Sequence, residues 1–432
     1  MSRGQVVRGA VGQNHAARSI RNVGRMQSSI YWHSVLSDDP VTSRFGRKAM
    51  SSYYVMGGTD QQRMGMLGSM ITVHTGLYPE VPVLVLTESE DHAARLMQAL
   101  YGHVEVRCKA DGRCADYDYG YGLNAAEMVK VLDKLTGSGS EQSTMHVYNS
   151  AFVHAVASQQ PLCITSLREL CREARINPAL LGNMPGLDPA DARVLRSNTD
   201  CFYKLNAKLE NLQLSAVDDA YTNGENMLTT VACRRSGVML MVMPQSSEAR
   251  NALLAAELVR IREVGYDALL IVDGMTLSKD DPLRKAVEEL VDKGGAHCMV
   301  CLCAANALTQ CCEQVIPGVQ AWCMLNGNLN AKEKDTLLAV FGNYSRHDVV
   351  GGGGAKHIHI PILGEHVHWG EQVGDHQCIR REDLRDNAAV LTGKDKIFVC
   401  RRLDIPTAGR SMRRTVRRQC PGRRSGQISR MA

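Results

Sequence analysis

Apolar residues follow two alternating patterns along this chain. Short, almost continuous apolar runs lie at residues 53–56, 81–89, 238–243, 268–274 and 296–305, and segments with apolar residues at helical spacing follow most of them. A continuous apolar run of strand length indicates a strand that is buried on both faces. The alternation of such strands with helices therefore predicts an α/β fold with a parallel sheet.

Between about residues 112 and 225 the pattern is helical only. Apolar residues recur at helical spacing in four segments that turn-rich linkers separate: 123–135, 144–158, 164–176 and 200–214. Asn124 and Ser166 stand where helix N-caps are expected, and Glu127 follows Asn124 at the spacing of a capping box. We therefore predict an all-helical insertion within the sheet domain.

Composition places the chain among globular proteins. Its 432 residues are 44% apolar and 22% charged, which is enough for about two domains with a large core. The 15 cysteines are scattered and mostly lie inside apolar runs, a usage typical of a reducing cytoplasm. No signal peptide is visible, and no apolar stretch reaches the roughly 18 residues of a membrane span. We expect a cytoplasmic protein without a transmembrane segment of its own.

Positive charge is concentrated at the two ends of the chain. Residues 1–37 hold five arginines and residues 410–432 hold eight, with no acidic residue in either segment. Removing these thirteen charges from the net +5 leaves −8 for the rest of the chain. The last segment repeats arginine at the spacing of one helix side: Arg410, Arg413, Arg414, Arg417 and Arg418. Such ends predict contact with nucleic acid or another acidic partner, or else a solvated tail.

A glycine turn between a strand and a helix is the candidate site for chemistry. Residues 53–56 lead into Gly57 and Gly58, and helical spacing begins a few residues later. A strand, a tight glycine turn and a helix form the context of a phosphate-binding loop, because backbone N–H groups at the helix start bind anions. The alternative is a strand–turn–helix unit without any nucleotide.

Comparison with the loop pattern G-G-T-G-S-G-K-S shows which chemical groups are present. Gly57, Gly58 and Thr59 match it, whereas Asp60 and Gln62 replace two glycines. Arg63 keeps the positive charge of the lysine but is planar and longer. Met64 replaces the hydroxyl residue, and a thioether is a poor ligand for Mg²⁺. These substitutions predict weak or absent ATP hydrolysis.

Two later strands end in polar residues that would complete such a site. Asp273 ends the run at 268–274, where an acidic residue orients Mg²⁺ in nucleotide hydrolases of this architecture. Gly274 follows it, so the catalytic glutamate often found there is missing. Asn306 follows the next apolar run, at the position of a polar sensor residue.

The order of these elements resembles that of the FtsK/HerA-type translocation ATPases, most of all the coupling proteins of type IV secretion and conjugation. The resemblance covers about residues 50–408 and implies a RecA-like parallel sheet, the fold of P-loop NTPases, with the helical insertion projecting from it. It implies a nucleotide site at Gly57, Gly58, Thr59, Arg63, Asp273 and Asn306, with ATP and Mg²⁺ as possible ligands. The implied domains are a basic arm (1–48), a core in two parts (49–111 and 226–408), the insertion (112–225) and a basic tail (409–432).

On this resemblance the expected function is that of an ATPase-fold subunit in a secretion or conjugation machine, with catalysis weak or lost. Its partners would be other subunits of the complex, nucleic acid at the basic ends and further copies of itself, peripherally at the inner membrane. One alternative is an active ATP-driven translocation motor. Another is a metal-binding α/β protein unrelated to NTPases.

Two clusters of histidine and cysteine bear on the metal-binding alternative. His297, Cys298, Cys301 and Cys303 have ligand-like spacing but lie in an apolar run typical of a buried strand. Four histidines flank a turn in a predicted hairpin of strands 356–360 and 365–369: His357, His359, His366 and His368. Residues two apart share a strand face, so these imidazoles could converge on zinc, although we favour a hairpin without metal. A helix over 379–390 and a last strand over 396–401 are predicted to follow.

Overall fold

The fold is taken from a computed structural model of the chain. The residues that it describes are 19–37, 52–106, 117–137, 142–212, 225–243, 248–274, 277–293, 297–305, 321–326, 331, 343–358, 367–377, 389–392 and 396–406. Among these residues no helix has both the length and the apolar character that crossing a membrane would require.

Nine of the described strands form one sheet. Its order from edge to edge is β1-β11-β10-β7-β2-β6-β5-β3-β4, and β8 pairs with β9 in a separate hairpin. The strands are β1 (Ser19–Gln27), β2 (Ser52–Gly57), β3 (Val83–Thr87), β4 (Val238–Val242), β5 (Ala268–Asp273), β6 (Cys298–Ala304), β7 (Ala321–Leu325), β8 (Asn343–Ile358), β9 (Val367–Gln377), β10 (Ala389–Thr392) and β11 (Lys396–Asp404).

The strand directions confirm the predicted α/β fold with a mainly parallel sheet. Strands β2 to β7 all run in the same direction, as the alternation of apolar runs and helices predicted. Strand β10 is antiparallel to both β7 and β11, so β11 again runs in the direction of β2. The carboxyl ends of β2, β3, β5, β6 and β11 consequently lie along one edge of the sheet, which we call the carboxyl edge.

Helices cover both faces of the sheet. The described helices are α1 (Ser28–Leu36), α2 (Asp60–Leu77), α3 (Glu90–Leu100), α4 (Ala125–Thr136), α5 (Gln142–Ala157), α6 (Ile164–Ala174), α7 (Pro189–Ser197), α8 (Thr199–Glu210), α9 (Met227–Ala232), α10 (Glu248–Val264) and α11 (Pro282–Lys293). Side chains of β2 alternate between two cores: Tyr54 and Met56 pack with α10 and α11, and Tyr53 and Val55 pack with α1, α2 and α3.

Helices α4 to α8, with a 3₁₀ turn at Pro178–Asn183, occupy the described part of the region between α3 and α9. Asn124 and Glu127 form the predicted capping box of α4. The prediction for Ser166 is wrong, because the Cys163 thiol caps α6 and accepts the Ser166 N–H, while the Ser166 hydroxyl donates to a backbone carbonyl. Helix α7 begins between the predicted helical segments 164–176 and 200–214, where Pro189 occupies the first helical turn and Asp188 caps it.

The N-terminal part of the fold differs from the predicted polar arm. Residues 19–36 form β1, which pairs with β11, and α1, which packs against α2. In α1 the Tyr31 hydroxyl donates to the Thr392 carbonyl, and the Trp32 indole N–H donates to the Met66 carbonyl. Since β1 meets its partner strand only at the other end of the chain, no local pattern in this polar segment indicates a strand.

The end of the helix predicted over 379–390 is also wrong. Residues 389 and 390 belong to β10, which has a neighbour on both sides, and residues 378–388 lie outside the described part of the chain. A short segment between two partner strands is held by its pairing, which overrides the helical spacing.

Candidate functional site

The loop after β2 has the backbone conformation that its glycines predict. Gly57 and Gly58 have φ values of 72° and 65°, in the left-handed region that glycine adopts without strain. A Cβ at Gly58 would lie 2.8 Å from the Gln62 amide oxygen and 2.9 Å from Leu325 Cβ. Both the conformation and the close packing therefore require glycine at this position.

The start of α2 is capped by the chain itself. The Gln62 side chain accepts the Thr59 N–H at 2.8 Å, and the Thr59 hydroxyl accepts the Gln62 N–H at 3.3 Å. This is a complete capping box at the helix terminus where a phosphate loop would present N–H donors to its ligand. Gln62 replaces a glycine of the loop pattern. Its capping box with Thr59 therefore occupies two backbone N–H groups that could otherwise donate to a phosphate.

Arg63 is buried inside the loop. Only 1% of the residue is exposed, and Nη1 donates to the Gly57 carbonyl at 3.1 Å and to the Gly58 carbonyl at 2.9 Å. Nη2 forms an ion pair with Asp60, while Nε has no hydrogen-bond partner within the described residues. The charge that corresponds to the lysine is therefore directed at the loop's own oxygens and at a carboxylate.

Asp273 is held by two side chains from the segment after β3. Its Oδ2 accepts from the Thr87 hydroxyl and faces His92 Nδ1, each at 2.8 Å, and Asp273 is only 2% exposed. His92 Nε2 lies 3.5 Å from Asp60 Oδ1, so the imidazole bridges the two carboxylates. The hydrogen bond to Asp273 raises the pKa of His92, and partial burial opposes that rise.

A continuous polar chain of Arg63, Asp60, His92, Asp273 and Thr87 therefore joins the ends of β2, β3 and β5. Five of the residues predicted from the sequence meet here, namely Gly57, Gly58, Thr59, Arg63 and Asp273. Asn306 lies outside the described residues. Sequence reasoning missed Thr87 and His92. The one signal available was that Thr87 ends a buried strand of a parallel sheet and that His92 lies in the first turn of the helix that follows.

The residues present do not fit a bound ATP–Mg²⁺ complex. Met64 is 2% exposed and packs in the apolar core beneath α2, so the loop offers no hydroxyl to a metal ion. The Asp60 carboxylate adds negative charge where phosphate charge would lie. Gly274, at φ 67°, carries no side chain to serve as a base. Among the described residues, the loop thus offers no hydroxyl to Mg²⁺, and there is no side chain directly after Asp273 that could act as a base.

The other predicted sites are described only in part. The register of β8 and β9 places His357 opposite His368, whereas His359 and His366 lie outside the described residues. The five tail arginines, Arg410, Arg413, Arg414, Arg417 and Arg418, also lie outside them. No cluster of three or more potential metal-ligating side chains occurs within the described part of the chain. The histidine and tail sites stay predictions.

The cysteines of β6 belong to the buried core. Burial raises the pKa of the Cys298 thiol to about 12 and raises those of Cys301 and Cys303 further. His297 pairs with Asp267 at 3.2 Å instead of turning toward these thiols. Metal binding by cysteine requires the thiolate, so the burial of these side chains disfavours that role.

Comparison with known proteins finds solved structures but no sequence relative. No protein-family model matches the chain, and no curated protein does. A trigonal form of the bacterial conjugative coupling protein TrwBdeltaN70 with sulphate is 10% identical, covers 89% of this chain and 94% of its own, and has a TM-score of 0.46. Plasmid coupling protein TrwB in complex with ADP and Mg²⁺ is 11% identical, with coverages of 83% and 85% and a TM-score of 0.45. Both belong to the class that the sequence resembles.

Proposed function

We propose that this chain is an ATPase-fold subunit of a type IV secretion or conjugation machine that does not hydrolyse ATP and instead docks and couples other components. The order of strands, glycine loop, helical region and Asp273 supports the kinship with coupling proteins. Other subunits of such a machine, and further copies of the chain, would be its partners. Its basic ends would contact nucleic acid.

The position of Arg63 is the observation that carries the loss of catalysis. A buried charge requires compensation, and Arg63 obtains it from Gly57 O, Gly58 O and Asp60 without a ligand. A nucleotide phosphate would have to displace Asp60 and turn the guanidinium out of its buried position. That rearrangement breaks two charge-assisted hydrogen bonds to carbonyls and the ion pair with Asp60 before any new contact forms.

The opposite side of the site supports the same conclusion. Asp273 Oδ2 accepts from Thr87 and faces His92, so one oxygen of the carboxylate that would orient Mg²⁺ is already in use. The His92 imidazole lies 2.8 Å from that oxygen, so a metal ion bound to it would have to displace the imidazole. These contacts make Asp273 a structural link between β5 and β3 in our proposal.

Calorimetric titration of the purified full-length chain with ATP, with and without Mg²⁺, tests the proposal together with a steady-state hydrolysis assay. We expect no saturable Mg²⁺-dependent binding and no hydrolysis above the rate of a buffer blank. Robust Mg²⁺-dependent hydrolysis that disappears in Asp273→Ala would refute the proposal and favour the active motor.

A variant of the glycine loop tests whether its substitutions cause the expected loss of ATP binding. Asp60→Gly, Gln62→Gly, Arg63→Lys and Met64→Ser together restore the loop pattern, and we expect measurable ATP binding without hydrolysis, because Gly274 still leaves no base. Gln61→Gly, which changes an exposed residue of the same turn, is the matched control and should bind no more than the native chain.

A further inference from the structure

The exposed surface beside the candidate site is acidic. Asp60 lies in the first turn of α2, and Glu90 and Asp91 lie in the first turn of α3. The two helices pack side by side, and His92 approaches Asp60, so these three carboxylates share the carboxyl edge of the sheet. We call Asp60, Glu90 and Asp91 the acidic edge.

Only part of the charge on this edge is paired: Asp60 contacts Arg63 and His92, whereas Glu90 and Asp91 form no ion pair with any described residue. Asp273 lies beneath it, 2% exposed, with Oδ1 lacking a hydrogen-bond partner within the described residues. Arg63 is buried against the loop carbonyls, and along α3 the next exposed base is Arg95, one turn further on. Exposed negative charge is therefore in excess where a phosphate loop would receive an anion, and the surface suits a cationic ligand.

The segment that leads to the basic C-terminal tail passes close to the acidic edge. Strand β11 runs parallel to β2 and ends at the carboxyl edge with Asp404. The following residues cross α2 at Gly65, where a Cβ would lie 2.4 Å from Ile405 Cγ2 and 3.1 Å from the Pro406 carbonyl oxygen. The last described residues thus lie about one and a half turns, or roughly 7.5 Å, from Asp60 along the helix axis.

We propose that the acidic edge is a docking surface for the arginine-rich C-terminal tail of the same chain, residues 410–432. Arg410 lies four positions after Pro406, a reach of roughly 13 Å in extended chain, which exceeds the roughly 7.5 Å to Asp60 along the helix axis. The tail carries eight arginines and no acidic residue. Charge complementarity and the position of Ile405 and Pro406 on α2 both favour this occupant. The inference does not depend on whether the chain hydrolyses ATP.

Limited trypsin digestion of the full-length chain, followed by intact-mass analysis of tail loss, tests the docking. Trypsin cuts after arginine in the undocked tail, so the cleavage rate follows the undocked population when docking is fast. Neutralising the edge with Glu90→Gln and Asp91→Asn should speed tail loss about threefold to tenfold, as expected for two exposed ion pairs. The matched control Glu169→Gln with Glu173→Gln, two exposed acids of α6, should leave the rate unchanged.

A second variant changes the tail and leaves the edge intact. Arg413→Gln with Arg414→Gln should speed cleavage at the remaining tail arginines by about threefold or more, and thermal melting should show an unchanged fold. Equal cleavage rates in the native chain and both test variants would overturn the proposal. Protection that rises with protein concentration would also overturn it, since a second copy's tail would then occupy the edge.

Discussion

Arg63 shows how one substitution can convert a ligand-binding position into a structural one. Its guanidinium donates to Gly57 O and Gly58 O and pairs with Asp60, all within the loop that it follows. A lysine at this position would present a compact point charge, whereas the planar fork of arginine reaches two carbonyls and a carboxylate together. The loop is thus stabilised by its own side chain.

Arg63→Ala should therefore lower the free energy of unfolding by about 2–4 kcal/mol, because two loop carbonyls lose buried donors. Urea denaturation followed by circular dichroism measures the change. Arg95→Ala, an exposed arginine of α3, is the control and should stay within about 0.5 kcal/mol of the native chain. A comparably small effect of Arg63→Ala would mean that the loop does not rely on this side chain.

The site residues that could be predicted from the sequence are those whose partners are local. Gly57, Gly58 and Arg63 lie within seven positions, so a motif can register them. His92 meets Asp273 across 181 positions and Thr87 meets Asp273 across 186, and only the sheet brings these residues together. A single sequence contains no signal that pairs one histidine among 14 with one acid among 45.

Helix α2 is closely packed on one side by the two residues that follow β11. Gly65 allows Ile405 and the Pro406 carbonyl to approach the helix backbone, as the short distances from a built Cβ show. Gly76, in the last turn of the same helix, has no atom within 4 Å of the corresponding position. Substitution of Gly65 therefore tests close packing, whereas substitution of Gly76 tests helix propensity alone.

We expect Gly65→Ala to destabilise the chain by about 1–3 kcal/mol through overpacking. Gly76→Ala should stabilise it by about 0.5–1 kcal/mol, because alanine is the better helix former at an open position. Thermal unfolding of both variants checks the opposite signs. Equal shifts would show that residues 405 and 406 do not pack on α2.

A buried carboxyl group, that of Glu257 in α10, contacts the residues that precede α4. Glu257 is fully buried, accepting from the Tyr117 hydroxyl at 2.5 Å and from the Gly120 N–H at 3.1 Å. Burial raises the pKa of Glu257 to about 8, the two hydrogen bonds oppose the rise, and the charge of Asp118 adds to it. The backbone N–H of Met227 also donates to the Tyr117 hydroxyl.

This pKa predicts the direction of a pH effect. The folded state holds the Glu257 proton up to about pH 8, and the unfolded chain releases it near its usual pKa of 4.5. The folded pKa is the higher one, so stability from this group is complete below pH 4.5 and declines as pH rises to 8.

Relative to the native chain, Glu257→Gln should gain roughly 3–5 kcal/mol between pH 5 and pH 8.5, since the amide has no proton to lose. Urea denaturation at a series of pH values measures the difference. Glu263→Gln changes an exposed acid of the same helix and should follow the native profile. A parallel profile for Glu257→Gln would contradict the raised pKa.

Elements with a strong local pattern could be predicted, and elements that depend on distant pairing could not. Strands β2 to β6 are continuous apolar runs because both of their faces are buried, and α4 begins at the Asn124 cap that the sequence indicates. Strand β1 is polar in sequence and is determined by its register with β11, with Ile20 opposite Ile397. The secondary structure of such a segment depends on the strand with which it pairs, and the neighbouring residues in the sequence carry no information about that partner.

At the scale of the whole molecule, the concentration of arginine in the tail predicts the salt dependence of DNA binding. If the tail neutralises about four or five phosphates, the affinity for duplex DNA should fall with salt at a log–log slope of roughly −4. No aromatic residue lies within 410–432, so base stacking adds little and sequence preference should be slight.

DNA titrations of the full-length chain and of a chain that ends at Gly409, each at several salt concentrations, measure this contribution. The shortened chain should bind more weakly and with a shallower slope. Identical affinity and slope would exclude the tail as a nucleic-acid arm. Full-length Glu90→Gln with Asp91→Asn should bind DNA somewhat more tightly if the edge and DNA compete for the same arginines.

The pairing of β1 with β11 has a consequence for how the protein is made. The two strands are hydrogen-bonded neighbours, yet 369 positions separate Gln27 from Lys396. At roughly 5–20 residues per second, translation would need about 20–70 s to supply β11 after β1 has been synthesised. Throughout that interval β1 lacks the only strand it pairs with in the described fold. Contacts between residues this distant in sequence slow folding. The edge of the sheet formed by β1 and β11 should therefore be among the last parts of the protein to fold.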